Sequence, residues 1–158
     1  MNNKEFIIGK IKESAFASMY SKVTLPTQSQ DMYEHWDLKI EAKIDVKSLK
    51  KQSREDILYN ENFHWVELMN VRGDKSWLYG DADFFAFETE DYWIIVDKTR
   101  LQDFIEAKTK GQEISDSKDP YSLYRRKGRL DIVVKVKTLD LVYIAHQVIK
   151  KDEKHNQE

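Results

Sequence analysis

The sequence predicts one α/β domain of the α+β kind, a central mixed β-sheet flanked by helices. Three observations lead there: an apolar stripe at helical spacing near the start, runs of alternating polar and apolar residues through the middle, and a helical stretch followed by an apolar strand near the end. A chain of 158 residues has room for one core and hardly for two. The domain is expected over 1–150, with 151–158 a disordered tail. Only two prolines and five glycines occur, which argues against long structureless linkers.

The elements follow in order. Residues 4–19 place Ile7, Ile8, Ile11, Ala15 and Met19 on one helical stripe, with Lys4, Lys10, Lys12 and Glu13 largely off it. Pro26 and the polar run 27–30 mark a loop. Residues 34–49 alternate like a hairpin: Trp36, Leu38 and Ile40 oppose His35, Asp37 and Lys39, and Ile44, Val46 and Leu49 lie among Lys43, Asp45 and Lys47. A turn near Glu41 and Ala42 is expected to join the halves. Residues 63–71 form a third strand, Arg72-Gly73-Asp74 a turn, and 77–98 two strands meeting at Glu88 to Asp91. Thr99 is placed to cap a helix through RLQDFIEAK. A polar loop covers 109–119. A last strand runs from about 130 to 137, and a short helix follows with Leu139, Leu141 and Ile144 inward.

Composition bounds the function. Hydrophobic residues at 41% against 34% charged describe a globular chain, and four Trp, eight Tyr and seven Phe must fill much of its core. The absence of cysteine removes disulfides, thiolate metal sites and cysteine nucleophiles. Neither a signal peptide nor a membrane-length apolar run is visible, so the expected setting is the cytoplasm, with no membrane partner. The net charge of −2 hides an uneven distribution. Lys43, Lys47, Lys50, Lys51 and Arg54 face a single Asp45 in 43–54. Arg125, Arg126, Lys127, Arg129, Lys135 and Lys137 face a single Asp131 in 125–137.

HWDLKIEAKIDVKSLKK carries the chemistry. In a hairpin centred on Glu41, Asp37 lies across from Asp45, and Lys47 shares the face of Asp45. Two opposed carboxylates repel unless a cation sits between them, and Mg²⁺, with Mn²⁺ as substitute, suits such oxygen ligands. The carbonyl of Val46 can supply a further ligand. A metal held there acidifies water and offsets charge on a phosphate, and Lys47 can orient the attacking water or stabilise the transition state.

Asp37 followed by Asp45-Val46-Lys47 resembles the signature of the PD-(D/E)XK nuclease superfamily. The resemblance implies an αβββαβ core, metal ligands at Asp37 and Asp45, a catalytic lysine at Lys47, and a supplementary acid at Glu13 on the first helix. It extends to small phage-encoded proteins through Trp65-Val66-Glu67, the segment Trp77 to Asp83, and Tyr124 to Arg129. It therefore implies a DNA endonuclease of a bacterial host cell or its phage, active on branched DNA such as Holliday junctions during recombination, and a homodimer. Trp36 stands where the family has proline, and the spacing from Asp37 to Asp45 is short. Gln30, Asp31 or Glu34 therefore remain alternatives to Asp37.

Further residues are candidates beside these. Glu67 and Gln30 are supplementary candidates at the site; a solvated strand glutamate and a loop glutamine are the bland readings. Asp81 and Asp83 form an acidic pair near a turn. Lys50, Lys51, Arg54, Arg125, Arg126, Lys127 and Arg129 are candidates for phosphate contacts. Tyr121 and Tyr124 are placed either to stack on bases or to pack in the core. The alternative function is a non-catalytic nucleic-acid- or protein-binding module on the same fold.

Overall fold

A computed structural model describes residues 7–8, 10–11, 14, 17–18, 22–34, 38–50 and 60–151. The chain divides into two compact units, residues 1–43 and 44–158.

In the first unit, Ile7, Ile8, Lys10, Ile11, Ser14 and Ala17 are helical, as the apolar spacing predicts. Ile7, Ile8 and Ile11 are nonetheless exposed. Strand β1 (Val23–Thr24) pairs antiparallel with β2 (Lys39–Ile40), Val23 opposite Ile40. Between them lies helix α1 (Gln28–Glu34). Its start is a capping box: the Gln30 N–H donates to Thr27 Oγ1 at 3.2 Å, and Gln30 Oε1 accepts from the Thr27 N–H at 3.0 Å.

The second unit is a mixed α/β structure. Its four-stranded sheet has the order β3 (Ile44–Lys47), β5 (Phe84–Glu88), β6 (Tyr92–Asp97), β8 (Gln147–Lys150). β3 runs parallel to β5 and the other pairings are antiparallel. A separate antiparallel ribbon joins β4 (Phe63–Met69) to β7 (Ile132–Lys137). Helix α2 (Lys98–Thr109) packs against β6 and a 3₁₀ turn at Trp77–Tyr79, and α3 (Thr138–Ile144) packs against β6 and β7. Alternation explains the core. Val66 from β4, Val134 and Val136 from β7, Phe85 and Phe87 from β5, and Ile94 and Val96 from β6 all point inward. Leu101 and Ile105 of α2 and Leu141 of α3 join the same core. Trp77 meets Phe85 edge to face, ring centroids 4.9 Å apart.

Several expectations require correction. Among the described residues the hairpin expected over 34–49 is not formed: Glu34 ends helix α1, β2 takes β1 as its partner and β3 takes β5, so the pairing about Glu41 that was to set Asp37 across from Asp45 goes with it. No Asn-Gly or similar turn pair sits near Glu41, and Glu41 instead donates its N–H to the Lys22 carbonyl at 3.0 Å. The strand expected from 77 begins only at Phe84, because Trp77–Tyr79 coil into the 3₁₀ turn. Asp97, not Thr99, caps α2, its Oδ1 accepting from the Arg100 N–H at 2.9 Å. Leu139 faces outward, 81% exposed, while Leu141 and Ile144 are buried as expected. β8 adds a strand beyond the one expected last. The tail 152–158 lies outside the described residues.

Candidate functional site

Strand β3 places the pair that the sequence singles out. It is an edge strand, held by its parallel pairing with β5, in which Asp45 lies opposite Phe85 and Lys47 opposite Phe87. Glu88 anchors its far end: Oε2 accepts from the Leu49 N–H at 3.0 Å, and Oε1 pairs with Lys151 Nζ at 2.8 Å.

The burial pattern of β3 is inverted relative to ordinary amphipathic strands. Ile44 and Val46 are 52% and 56% exposed, whereas the side chains of Asp45 and Lys47 are only 35% and 21% exposed. The two charges meet at 2.7 Å, Lys47 Nζ to Asp45 Oδ2. The ammonium also lies 3.9 Å from the centre of the Trp77 ring, close enough for a cation–π attraction. Lys47 is thus held by an anion and an aromatic face, on the side of the strand that an amphipathic pattern would give to apolar groups.

A cavity of about 290 Å³ opens beside it, lined by Lys47 and Lys50 from the β3 side and by Phe63, Trp65 and Glu67 from β4. Glu67 accepts a hydrogen bond from the Ser76 hydroxyl, which fixes its carboxylate at the rim. His64 contributes to the same lining from the core face of β4. Its ring meets Phe87 edge to face at 5.3 Å, and its Nε2 is buried without a hydrogen-bond partner. Burial pushes its pKa down to about 4, so the imidazole is neutral near pH 7. Sequence reasoning passed over His64 as a site residue, because one histidine without ligand spacing carries no signal.

The remaining candidates sort as follows. Asp37, Glu13, Lys51 and Arg54 lie outside the described residues. Gln30 closes the capping box of α1, so its carbonyl oxygen is engaged at a helix end. Asp81 and Asp83 sit in the bend before β5, not on a strand. In the second basic segment, Arg126 lies at the surface but is paired with a buried acid. Its Nη2 and Nε contact Asp131 Oδ2 at 2.5 and 3.1 Å, and the Asp131 side chain is 3% exposed. Arg125 turns toward the Leu130 carbonyl at 3.4 Å and buries its Nε. Lys127 and Arg129 stay exposed around Gly128, whose φ of +73° makes the turn. Tyr121 donates from its hydroxyl to Asp140 and accepts there from the Lys137 N–H at 3.3 Å, which makes it a packing residue. Tyr124 instead lies 5.9 Å from Trp65, ring centre to ring centre.

Comparison with family models, curated proteins and solved structures gives no match. Among the described residues, no three histidines, aspartates or glutamates converge as a metal-binding group. No helix among them is long and apolar enough to cross a membrane.

Proposed function

We propose that this chain is a Mg²⁺-dependent endonuclease with a PD-(D/E)XK-like core, hydrolysing phosphodiester bonds in DNA. One observation carries the reading: β3 turns Asp45 and Lys47 to its half-buried side as an ion pair at 2.7 Å, beside a cavity, and leaves Ile44 and Val46 exposed. A strand chosen for stability alone would do the reverse, because a half-exposed valine or isoleucine forgoes roughly half of the 1.5–3 kcal/mol that full burial contributes.

The donor chemistry fits a hard divalent ion. Asp45 offers carboxylate oxygens, Val46 a carbonyl oxygen, and the chain has no thiolate to favour a softer metal. Asp45, through its carboxylate, and Val46, through its carbonyl, are the described residues that would hold it. When bound, such an ion acidifies a water and withdraws charge from the phosphate. Lys47 serves the reaction through its ammonium, which neutralises charge that grows on the phosphate oxygens. Trp77 holds that ammonium from one side and excludes water from it, strengthening its field.

The test compares wild type with Lys47→Ala and Asp45→Asn on supercoiled, linear, single-stranded and four-way-junction DNA, with Mg²⁺ or Mn²⁺. Wild type cleaves at least one substrate, and each variant loses roughly 10²-fold or more in rate with an unchanged circular-dichroism spectrum. Equal cleavage by all three proteins removes Asp45 and Lys47 from the mechanism. Salt-sensitive DNA binding without cleavage by wild type returns the chain to the binding-module reading.

A further inference from the structure

The β4–β7 ribbon has two faces, and only one of them belongs to the core. Val66, Val134 and Val136 point inward with His64. On the other face the register sets Phe63 opposite Lys137, Trp65 opposite Lys135 and Glu67 opposite Val133. Tyr124 extends the last of these rungs, exchanging two backbone hydrogen bonds of 3.0 Å with Val133. The outward face therefore interleaves three aromatic rings with lysines. Lys135 Nζ lies 5.2 Å from the Trp65 ring centre and 5.4 Å from that of Phe63, and the Trp65 and Tyr124 rings are tilted by 37°.

Charge on this face is unbalanced. Among the described residues, Lys50, Lys135 and Lys137 form no salt bridge. Glu67 is the one acid on the three rungs, and its carboxylate is tied to Ser76. Lys118 lies 5.7 Å from the Tyr124 ring but has Asp116 and Asp119 beside it in the chain, so it adds little net charge. Phe63, Trp65 and Glu67 also line the cavity that contains Lys47, so the face runs without a break into the candidate site.

We propose that the outward face of the β4–β7 ribbon is a platform for a single strand of nucleic acid, with unpaired bases on Trp65 and Tyr124 and phosphates on Lys135, Lys137 and Lys50. Half-buried aromatic rings set between cations match a strand whose bases are free to stack and whose backbone is anionic. A duplex keeps its base faces to itself and offers such rings nothing. The proposal goes beyond the hydrolytic reading, since binding here needs no metal and no cleavage.

The test measures fluorescence anisotropy of labelled single-stranded DNA, single-stranded RNA and duplex DNA, each of about 16 nucleotides per strand, in EDTA. Wild type prefers a single strand to the duplex, and the two single-stranded arms tell DNA from RNA. Trp65→Ala and Tyr124→Ala each weaken single-strand binding by at least about fivefold, whereas Trp65→Phe retains most of it. Lys135→Gln reduces the slope of log affinity against log salt by roughly 0.7. Thermal melts check folding, and Trp65→Phe with Lys135→Gln decide the matter if the alanine variants melt early. Unchanged affinity on removing the rings, equal affinity for duplex, or equal competition by polyglutamate overturns the platform. Cleavage lost in Asp45→Asn with Trp65→Ala affinity intact refutes the platform and spares the nuclease. Ring-dependent binding without cleavage under any metal does the opposite.

Discussion

His64 gives the protein a pH dependence whose size follows from its burial. The folded-state pKa is about 4, against 6.5 for an unburied imidazole, and loss of hydration is the main cause. The charge of nearby Glu61 acts in the opposite direction and is outweighed. The depressed pKa means that the unfolded chain takes up a proton before the native one does. Stability is thus full above pH 6.5 and declines as pH falls toward 4. Each pH unit in that window removes about 1.4 kcal/mol, so the loss is about 2 kcal/mol by pH 5 and about 3 kcal/mol when the native histidine finally titrates. Urea unfolding of wild type and His64→Leu at pH 8, 6 and 5 isolates this contribution, because the carboxylates titrate alike in both. Leucine fills a comparable space against Phe87, where the ring now sits edge-on at 5.3 Å. The stability difference, wild type minus variant, should fall by about 2 kcal/mol from pH 8 to pH 5. A difference that stays flat, or grows in favour of wild type at low pH, refutes the claim that an unpaired neutral imidazole sits in this core.

Two further substitutions probe Arg126, a candidate phosphate contact in the sequence, and Tyr121, which the sequence left between base stacking and core packing. Arg126→Ala strands the buried Asp131 carboxylate, whose Oδ1 already has no partner, and should lower the unfolding free energy by about 3 kcal/mol in urea titration, while Lys127→Ala at the exposed turn changes it little. Tyr121→Phe removes the hydroxyl shared by Asp140 and the Lys137 N–H, and should cost about 1–2 kcal/mol by the same measurement, with circular dichroism unchanged.

The strands that the sequence displays best are those whose alternation is strict and whose turns are local. β4 reads FHWVELM and was legible as a strand; period two separates His64 and Val66 from Phe63 and Trp65, but only the fold shows that the former pair is the inward one. The β5–β6 hairpin turns where Glu88 to Asp91 promise it, and α3 begins directly after β7 as the apolar spacing suggests. The partner of β3 was not legible in the same way. Its segment lies next in sequence to β2, and local reading pairs neighbours. Its hydrogen bonds go instead to β5, forty residues on, through a parallel pairing that no turn residue announces. The site divides along the same line. That Asp45 and Lys47 share a face is dictated by their spacing. That this face is the half-buried one depends on Trp77, which arrives on a 3₁₀ turn from another part of the chain. The basic run at 125–129 was legible only as charge: Arg126 meets a buried aspartate five residues away, and composition does not distinguish a solvated arginine from a paired one.

The inversion on β3 also predicts how stability and activity separate. An ion pair with partly exposed members is worth little, about 0–1 kcal/mol, because water screens it and ordering a lysine has an entropic cost. Lys47 points to a region that already contains Trp77 and Phe87, where an apolar side chain can be accommodated, and Asp45 lies beside it on the same half-buried face. Replacing both at once, Asp45→Leu with Lys47→Met, removes the weak pair and leaves no charge stranded. The double variant should unfold within about 1 kcal/mol of wild type, or be slightly more stable. Its cleavage should be abolished under conditions where wild type cuts DNA. Urea titration and a plasmid assay on one preparation read both quantities. A double variant that is strongly destabilised would mean that the pair is there to hold β3 in place, and the reason for assigning it to chemistry would be gone.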